Sequence, residues 1–165
     1  MVGKLNPPTP LTAADDVGSF SCGEDSLDDW LKRRALANQV SGASRTYVVC
    51  DEERVVAYYS LATGAVTAVS ATGRFRRNMP DPIPVIVLAR LAVDIAYQGR
   101  GLSRALVGDA LRRSLEAADI VGIRGVVVHL LRGNLRQFYL HLGFSPSPID
   151  DMLFMVALAD VRAGQ

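Results

Sequence analysis

Apolar positions in the first half of the chain follow a helical pattern once and strand-like patterns elsewhere. From Asp25 to about Gln39 they recur at helical spacing, and Gly42 is placed to end that helix. The polar residues Asp51–Arg54 have the composition of a hairpin turn, and residues 70–82 contain the glycine and prolines of a loop. The predicted strands of this half are an edge strand around Pro10–Thr12, then Arg45–Cys50, Val55–Leu61 and Ala65–Val69.

In the second half, long apolar runs alternate with helical patterns. Val85–Val93 is almost entirely apolar, as in a strand buried on both faces, and an amphipathic helix follows to about Ala118. The order strand, helix, strand predicts a right-handed crossover between parallel neighbours, so we expect one α/β domain. The apolar face of that helix is predicted to comprise Leu102, Ala105, Leu106, Leu111 and Leu115. The remaining predicted elements are the strand Ile123–Leu131, the helix Leu135–Leu142 ended by Gly143, and the strand Met152–Ala157.

Composition narrows the class of protein only slightly. A length of 165 residues suits one domain, and we expect residues 1–165 to form it. Lys and Arg number 18 against 17 Asp and Glu, so net charge does not indicate a nucleic-acid-binding protein. No apolar run is long enough to span a membrane, and Met1–Pro8 lacks the apolar core of a signal peptide. We therefore expect a cytoplasmic protein with Cys22 and Cys50 reduced.

The turn between the apolar strand and the long helix carries the most informative chemistry. Gly99 and Gly101 allow a ligand to approach the backbone, and the first N–H groups of a helix form an anion site, most often for phosphate. A Walker loop is excluded because no lysine follows the glycines. A dinucleotide fingerprint is disfavoured because Arg104 stands where its third glycine is needed.

Gln98-Gly99-Arg100-Gly101-Leu102-Ser103 resembles the pyrophosphate loop of the GNAT superfamily of N-acetyltransferases, with Ser103 where the family usually has Gly or Ala. The resemblance implies the GNAT fold: a central, mostly antiparallel sheet with one parallel, splayed pair of strands and flanking helices. It also implies that acetyl-CoA is the co-substrate and that no metal is needed. Loop N–H groups would bind the pyrophosphate, and the end of the preceding strand would pair with the pantetheine arm. The implied cofactor-binding residues are Leu91, Ala92, Val93, Gln98, Gly99, Arg100, Gly101, Leu102, Ser103 and Arg104.

A second motif, Phe138–Phe144, resembles the late GNAT motif that contains a tyrosine. Tyr139 is the candidate general acid, because a phenol with a pKa near ~10 stays protonated at neutral pH and can protonate a leaving thiolate. Arg132 stands where many members of the family have an asparagine, so that role is not assigned here. No residue is evident as a general base. The groups considered for that role are Asp94, His129, His141 and the glutamates Glu24, Glu52, Glu53 and Glu116.

The first half narrows the family further. The segments Phe20–Gly23, Leu27–Leu31, Arg34–Gln39 and Gly42–Thr46, with the ending Gly143–Pro148 and Met152–Met155, resemble the GNAT toxins of bacterial toxin–antitoxin modules. This resemblance implies a toxin that acetylates the α-amine of an aminoacyl-tRNA and so blocks translation. It also implies a homodimer neutralised by a ribbon–helix–helix antitoxin. An α-amine with a pKa near ~7.7–8.0 needs no strong base, which agrees with the scarcity of candidate bases.

Clusters of basic residues are candidates for contacts with tRNA phosphates, which provide affinity without base specificity. The same arginines suit an acidic antitoxin tail, and the sequence leaves both partners open. Two other functions also remain open: acetylation of a small amine or a protein N-terminus, and non-catalytic binding of acetyl-CoA. The candidate tRNA-binding residues are Lys32, Arg33, Arg34, Arg74, Arg76, Arg77 and Arg90.

Overall fold

Seven strands and six α-helices make up the computed structural model, which describes residues 5–165. Met1–Lys4, which belong to the segment searched for a signal peptide, lie outside the described residues. The strands are Thr9–Pro10 (β1), Arg45–Asp51 (β2), Arg54–Val66 (β3), Ile83–Val93 (β4), Gly125–His129 (β5), Ser145–Pro146 (β6) and Leu153–Ala157 (β7). The helices are Asp25–Arg33 (α1), Ala35–Ser41 (α2), Gly73–Arg76 (α3), Leu102–Ala118 (α4), Arg136–His141 (α5) and Leu158–Ala163 (α6).

The strands form a mixed, mostly antiparallel sheet, which confirms the predicted fold class. Its parallel pair is β4 and β5, joined through α4 as the order of elements predicted. Their pairing covers Val85–Val87 and Gly125–Val127, although β4 continues to Val93. The neighbours β2–β3, β5–β7 and β6–β7 are antiparallel.

The chain divides into two compact units. Unit 1 comprises the described residues up to Ala62 together with Ala89–Ala110. Unit 2 comprises Thr63–Leu88 and Leu111–Gln165. The expectation that residues 1–165 form a single catalytic domain stays a prediction.

The core of unit 1 lies between its two N-terminal helices and the sheet. Phe20, Leu31 and Tyr58 are buried there, and the rings of Phe20 and Tyr58 meet edge to face with centroids 5.5 Å apart. The Tyr58 hydroxyl donates to the Leu27 carbonyl of α1 at 2.7 Å, so the helix is tied to β3 by a hydrogen bond as well as by packing. Each large apolar side chain buried in this way contributes about 1.5–3 kcal/mol.

The core of unit 2 packs the short helix α3 against β5 and β7. Phe75 from α3 is buried among Ile83, Val127 and Met155. A Cβ at Gly125 would lie 2.2 Å from the Val156 carbonyl oxygen and 2.5 Å from the Phe75 ring. Glycine is therefore required at this point of β5, because any side chain would displace backbone and core together.

Several details of the predicted elements were wrong, among them the absence of β6 from the prediction. The single helix predicted to run to Gln39 is divided at Arg34, whose φ of −123° separates α1 from α2. The strand predicted over Ala65–Val69 does not form, because β3 itself runs to Val66 and a 3-10 turn over Ala68–Ser70 follows. The predicted loop 70–82 contains α3, which Thr72 caps by accepting the Phe75 N–H. The helix α6 after β7 was not predicted.

The predicted apolar face of α4 was partly wrong. Ala105 is exposed, whereas Asp109 is buried and accepts a 2.5 Å hydrogen bond from the Tyr59 hydroxyl. A buried carboxylate needs such a partner, and the apolar spacing of the helix gave no sign of one. Likewise, β4 is not buried along its whole length, because Ala89 is exposed.

Candidate active site

The glycine turn of unit 1 has the backbone geometry of an anion site. Gly99 and Gly101 have φ values of +79° and +82°, a region that favours glycine, and α4 begins directly after them at Leu102. No heavy atom lies within 4 Å of the position that a Cβ would take at either glycine. The first N–H groups of α4 have no partner within the helix, so they are oriented toward any anion in front of it.

Gln98 connects this turn to the end of β4. Its side-chain amide donates to the carbonyl of Val93 at 2.9 Å and to that of Cys22 at 3.0 Å. Unit 1 therefore brings together the two predicted parts of the cofactor site, Leu91–Val93 and Gln98–Arg104. Within the second part, Ser103 is half-buried in the first turn of α4, and Arg104 is exposed.

Asp94 organises the chain between β4 and the glycines. It is only 5% exposed, and its carboxylate accepts the N–H of Ser21 at 3.1 Å and the N–H of Ala96 at 3.0 Å. The bond from Ala96 caps the 3-10 turn Ile95–Tyr97, and the bond from Ser21 ties this turn to the segment before α1. A carboxylate engaged in this way is a structural group.

Sequence reasoning missed a polar cluster that supports the glycine turn. The Tyr97 hydroxyl donates to Asp51 at the end of β2 and accepts from Arg54 at 3.2 Å. The guanidinium of Arg100, within the turn, lies 5.0 Å from the centroid of the Tyr97 ring. The hydrogen bond to Asp51 raises the pKa of Tyr97. Nothing local indicated this cluster, because Tyr97 and Asp51 are 46 residues apart.

Tyr139 lies in α5 of unit 2 and is 4% exposed. Its ring is held by edge-to-face contacts with Phe138 and Phe144, whose centroids lie 4.9 and 5.3 Å away. Gly143, at a φ of +95°, turns the chain back so that the Phe144 N–H donates to the Tyr139 carbonyl at 3.1 Å. Burial raises the pKa of Tyr139 to about 12. The phenol is therefore fully protonated at neutral pH, as a general acid requires.

The candidate tRNA-binding residues differ in how free their charges are. Lys32, Arg33, Arg34 and Arg77 are exposed. Arg74 is engaged with Asp160 through two hydrogen bonds of 2.5 and 2.9 Å, and Arg76 donates to the Ala68 carbonyl at 3.4 Å. Arg90 is half-buried, and its guanidinium lies 4.2 Å from the centroid of the Trp30 ring. The side chains of Arg74 and Arg90 are thus held by specific contacts within the protein.

The two thiols are not activated nucleophiles. Burial is the main cause that raises the pKa of Cys22 to about 12 and that of Cys50 to about 11, so both remain protonated. His129 and His141 are exposed. Residues 5–165 contain no group of three or more His, Cys, Asp or Glu side chains placed so that they could hold a metal ion. The described helices include none with the length and apolarity to cross a membrane.

The comparisons with known proteins agree with this geometry. Residues 42–146 match the family model described as an acetyltransferase (GNAT) domain. The chain is also 53% identical over 156 residues to a tRNA-acetylating toxin of Mycobacterium tuberculosis (strain ATCC 25618 / H37Rv), covering 94% of each chain. This protein belongs to the GNAT acetyltransferase family. Membership of this family explains three features of the GNAT protein together. They are the resemblance of its glycine turn to a pyrophosphate loop, its late tyrosine motif and its mixed sheet.

Two solved structures of the toxin AtaT share the fold over almost their full length. The toxin AtaT in complex with acetyl-methionyl-tRNAfMet has a TM-score of 0.88 and 28% identity, covering 96% of this chain and 98% of AtaT. A mutant of AtaT bound to acetyl-CoA and to the C-terminus of the antitoxin AtaR has a TM-score of 0.83 and 26% identity, with 97% of each chain covered. An acetylated aminoacyl-tRNA, acetyl-CoA and part of an antitoxin are thus each bound in a solved structure of AtaT.

Proposed function

We propose that this protein transfers the acetyl group of acetyl-CoA to the α-amine of an aminoacyl-tRNA and acts as a toxin by blocking translation. The observation that carries the proposal is the 53% identity, over 94% of both chains, to a tRNA-acetylating toxin. The site supports it independently, since unit 1 has a loop suited to a pyrophosphate and unit 2 has a protonated, buried phenol.

Acetyl-CoA fits the turn in front of α4. Its pyrophosphate would be held by the N–H groups of Gly99–Arg104, which the positive φ angles of the two glycines leave accessible. Its pantetheine amides would pair with the backbone of Leu91–Val93, which Gln98 keeps next to the loop. Tyr97 and Arg100 would support this arrangement through the contact between the Arg100 guanidinium and the Tyr97 ring.

The chemistry requires little beyond positioning and one proton donor. The lone pair of the amine forms the new C–N bond, and the C–S bond of the thioester breaks with its electron pair on sulfur. The Tyr139 O–H gives its proton to this thiolate, and the proton released by the acylated amine restores the tyrosine through solvent. A useful fraction of an α-amine with a pKa near ~7.7–8.0 is already neutral at cellular pH, so no side-chain base is required.

The basic side chains of α3 and the residue after it are proposed to contact tRNA phosphates. The double substitution Arg76→Gln with Arg77→Gln should raise the KM for charged tRNA several-fold and leave the Kd for acetyl-CoA unchanged. It should also reduce the slope of log KM against log salt by about 1–2, because about one counterion is released for each phosphate that a basic side chain neutralises. Initial rates at several salt concentrations measure both effects.

The control for this pair is Arg162→Gln, because Arg162 is an exposed arginine of unit 2 that pairs with Asp119 at 3.1 Å. If the control weakens tRNA use as much as the double variant, general charge and not this surface governs binding. An unchanged salt slope in the double variant would place the phosphate contacts elsewhere.

The proposal extends to partners and location. The toxin AtaT has been solved with its antitoxin bound, and this supports neutralisation of the present protein by an antitoxin, proposed to be of the ribbon–helix–helix type. We also propose that the protein is a homodimer and that it acts in the cytoplasm, where charged tRNA is found. Co-expression with a neighbouring ribbon–helix–helix reading frame, followed by chromatography of the complex, tests the partner and the stoichiometry.

The acceptor is tested by transfer of radiolabelled acetyl groups to four classes of molecule. These are charged tRNA, the same tRNA deacylated, free small amines, and peptides with a free N-terminus. The proposal expects label in charged tRNA alone. Label in small amines or peptides would favour the alternative acetyltransferases, and binding of acetyl-CoA without any transfer would favour a non-catalytic module.

A further inference from the structure

Arg90 is held in an aromatic environment next to the predicted acyl-donor site. It lies in β4, directly before Leu91–Val93, and its guanidinium is stacked 4.2 Å from the centroid of Trp30 in α1. Trp30 in turn stacks on Tyr58, with centroids 6.1 Å apart and only 10° between the ring planes. Since guanidinium groups bind the faces of aromatic rings, this stack fixes where the charge of Arg90 lies.

The stack is rigidly supported within unit 1. Tyr58 is fully buried, and its hydroxyl donates to the Leu27 carbonyl, one turn before Trp30 on the same helix. Phe20 also packs edge to face on Tyr58, with ring centroids 5.5 Å apart. The orientation of Trp30, and with it the position of the Arg90 guanidinium, is therefore set before any substrate binds.

The charge of Arg90 is not balanced. Among residues 5–165, no carboxylate lies within salt-bridge distance of its guanidinium, and the contact that holds it is the Trp30 ring. Arg74 and Arg162, by contrast, are exposed and each pairs with an aspartate. A half-buried cation without a counterion favours binding of an anion, and a stacked guanidinium still presents its N–H groups at its edge, where they match the oxygens of a phosphate.

We propose that Trp30 and Arg90 form a subsite for a phosphodiester of the single-stranded 3′ end of aminoacyl-tRNA. Arg90 contacts the phosphate, and Trp30 is the positioning residue that holds the guanidinium. The inference rests on the proposed function, which places the amine of the same 3′ end close to Leu91–Val93. In this inference, Arg90 and Trp30 orient the acceptor end of the tRNA. This role is distinct from the general attraction of tRNA by exposed basic residues.

Phosphates of acetyl-CoA share the same chemistry, so the experiment must separate the two sources. The variants Arg90→Gln, Arg90→Lys and Trp30→Phe are compared on three acceptors that carry the same amino acid: charged tRNA, an aminoacyl-CCA trinucleotide, and aminoacyl-adenosine. Only the last lacks a phosphodiester. The Kd for acetyl-CoA is measured for each variant by calorimetry, which also reports that the protein is folded.

Arg90→Gln should lower kcat/KM at least about 10-fold on charged tRNA and on aminoacyl-CCA, as expected for the loss of a charge-assisted hydrogen bond. On aminoacyl-adenosine it should change kcat/KM by less than about two-fold, with the Kd for acetyl-CoA unchanged. Arg90→Lys should restore part of the loss. Trp30→Phe, which keeps a smaller ring, should give an intermediate loss on the same two acceptors. Arg162→Gln is the matched control and should resemble the wild type.

Three results would overturn the inference. Equal loss on all three acceptors would mean that Arg90 acts on the fold or the chemistry and not on a phosphodiester. A weaker Kd for acetyl-CoA in Arg90→Gln would assign the anion to the donor, and wild-type rates in that variant would exclude the subsite. If the wild-type protein acetylates none of the acceptors, the proposed function itself is wrong. This result differs from the three above, because in each of those the wild-type protein is active.

Discussion

Tyr139→Phe should lower kcat for acetyl transfer by about 100-fold or more and leave the Kd for acetyl-CoA within about two-fold, because general acid catalysis contributes ~10²–10⁴-fold. The substitution removes one oxygen and keeps the ring that packs on Phe138 and Phe144, so the fold of α5 is retained. Single-turnover rates with charged tRNA, together with calorimetric titration of acetyl-CoA, separate the two quantities.

The pH profile provides a second readout of the same group. Since burial raises the pKa of Tyr139 to about 12, the acid stays protonated over the usual assay range. The rate should therefore rise as the amine loses its proton near pH ~7.7–8.0 and should not fall again below about pH 10. Tyr47→Phe removes a phenol from β2 of unit 1 and serves as the control. A rate in Tyr139→Phe equal to that of the wild type would exclude the assignment of this residue as the acid.

Gly101→Ala is expected to have the second large effect, on donor binding. Gly101 has a φ of +82°, where a residue with a Cβ carries a strain of about 1–2 kcal/mol. The turn relieves this strain by changing its backbone, and restoring the binding conformation then costs the same free energy. The Kd for acetyl-CoA should consequently rise by about 5–30-fold, with a KM that rises in parallel.

The matched control is Gly108→Ala in α4, the helix that begins directly after Gly101. Gly108 lies in the interior of α4 without a positive φ, and no heavy atom lies within 4 Å of its Cβ position. Alanine there should stabilise the protein by about 0.5–1 kcal/mol and leave acetyl-CoA binding unchanged. If both variants bind acetyl-CoA as tightly as the wild type, the conformation of Gly101 does not form the donor site.

The elements that sequence predicted well are those whose patterns are long. The periodicity from Leu102 to Ala118 and the apolar run of β4 extend over enough residues to fix the type of each element, although β4 begins two residues earlier than predicted. The break at Arg34 was not predictable from periodicity. The Arg34 N–H donates to the Trp30 carbonyl and the Asn38 N–H donates to the Arg34 carbonyl, so helical hydrogen bonding continues across the break. The extension of β3 to Val66 was missed because a glycine such as Gly64 usually interrupts a strand, whereas here it lies closely against the Val87 side chain.

The candidate site follows the same division between local and distant contacts. The glycine turn and the Tyr139 motif are each formed by one contiguous segment of the chain, so residue type and spacing were sufficient to predict their structure. The support of the turn by Asp51 and the stacking of Arg90 on Trp30 join residues far apart in the chain, and only the fold brings them together. The pairing of Arg74 with Asp160 is a further example, because the two residues are 86 positions apart and nothing in the sequence indicated this contact.

In the proposed function, the acetyl group is placed on the α-amine of an amino acid esterified to tRNA. The most direct test incubates charged tRNA with the protein and acetyl-CoA, releases the 3′ nucleoside with a nuclease, and identifies it by mass spectrometry. We expect N-acetyl-aminoacyl-adenosine with the wild-type protein and very little of it with Tyr139→Phe. Unmodified aminoacyl-adenosine, or an acetyl group found on a nucleobase of the tRNA instead, would contradict the proposed function.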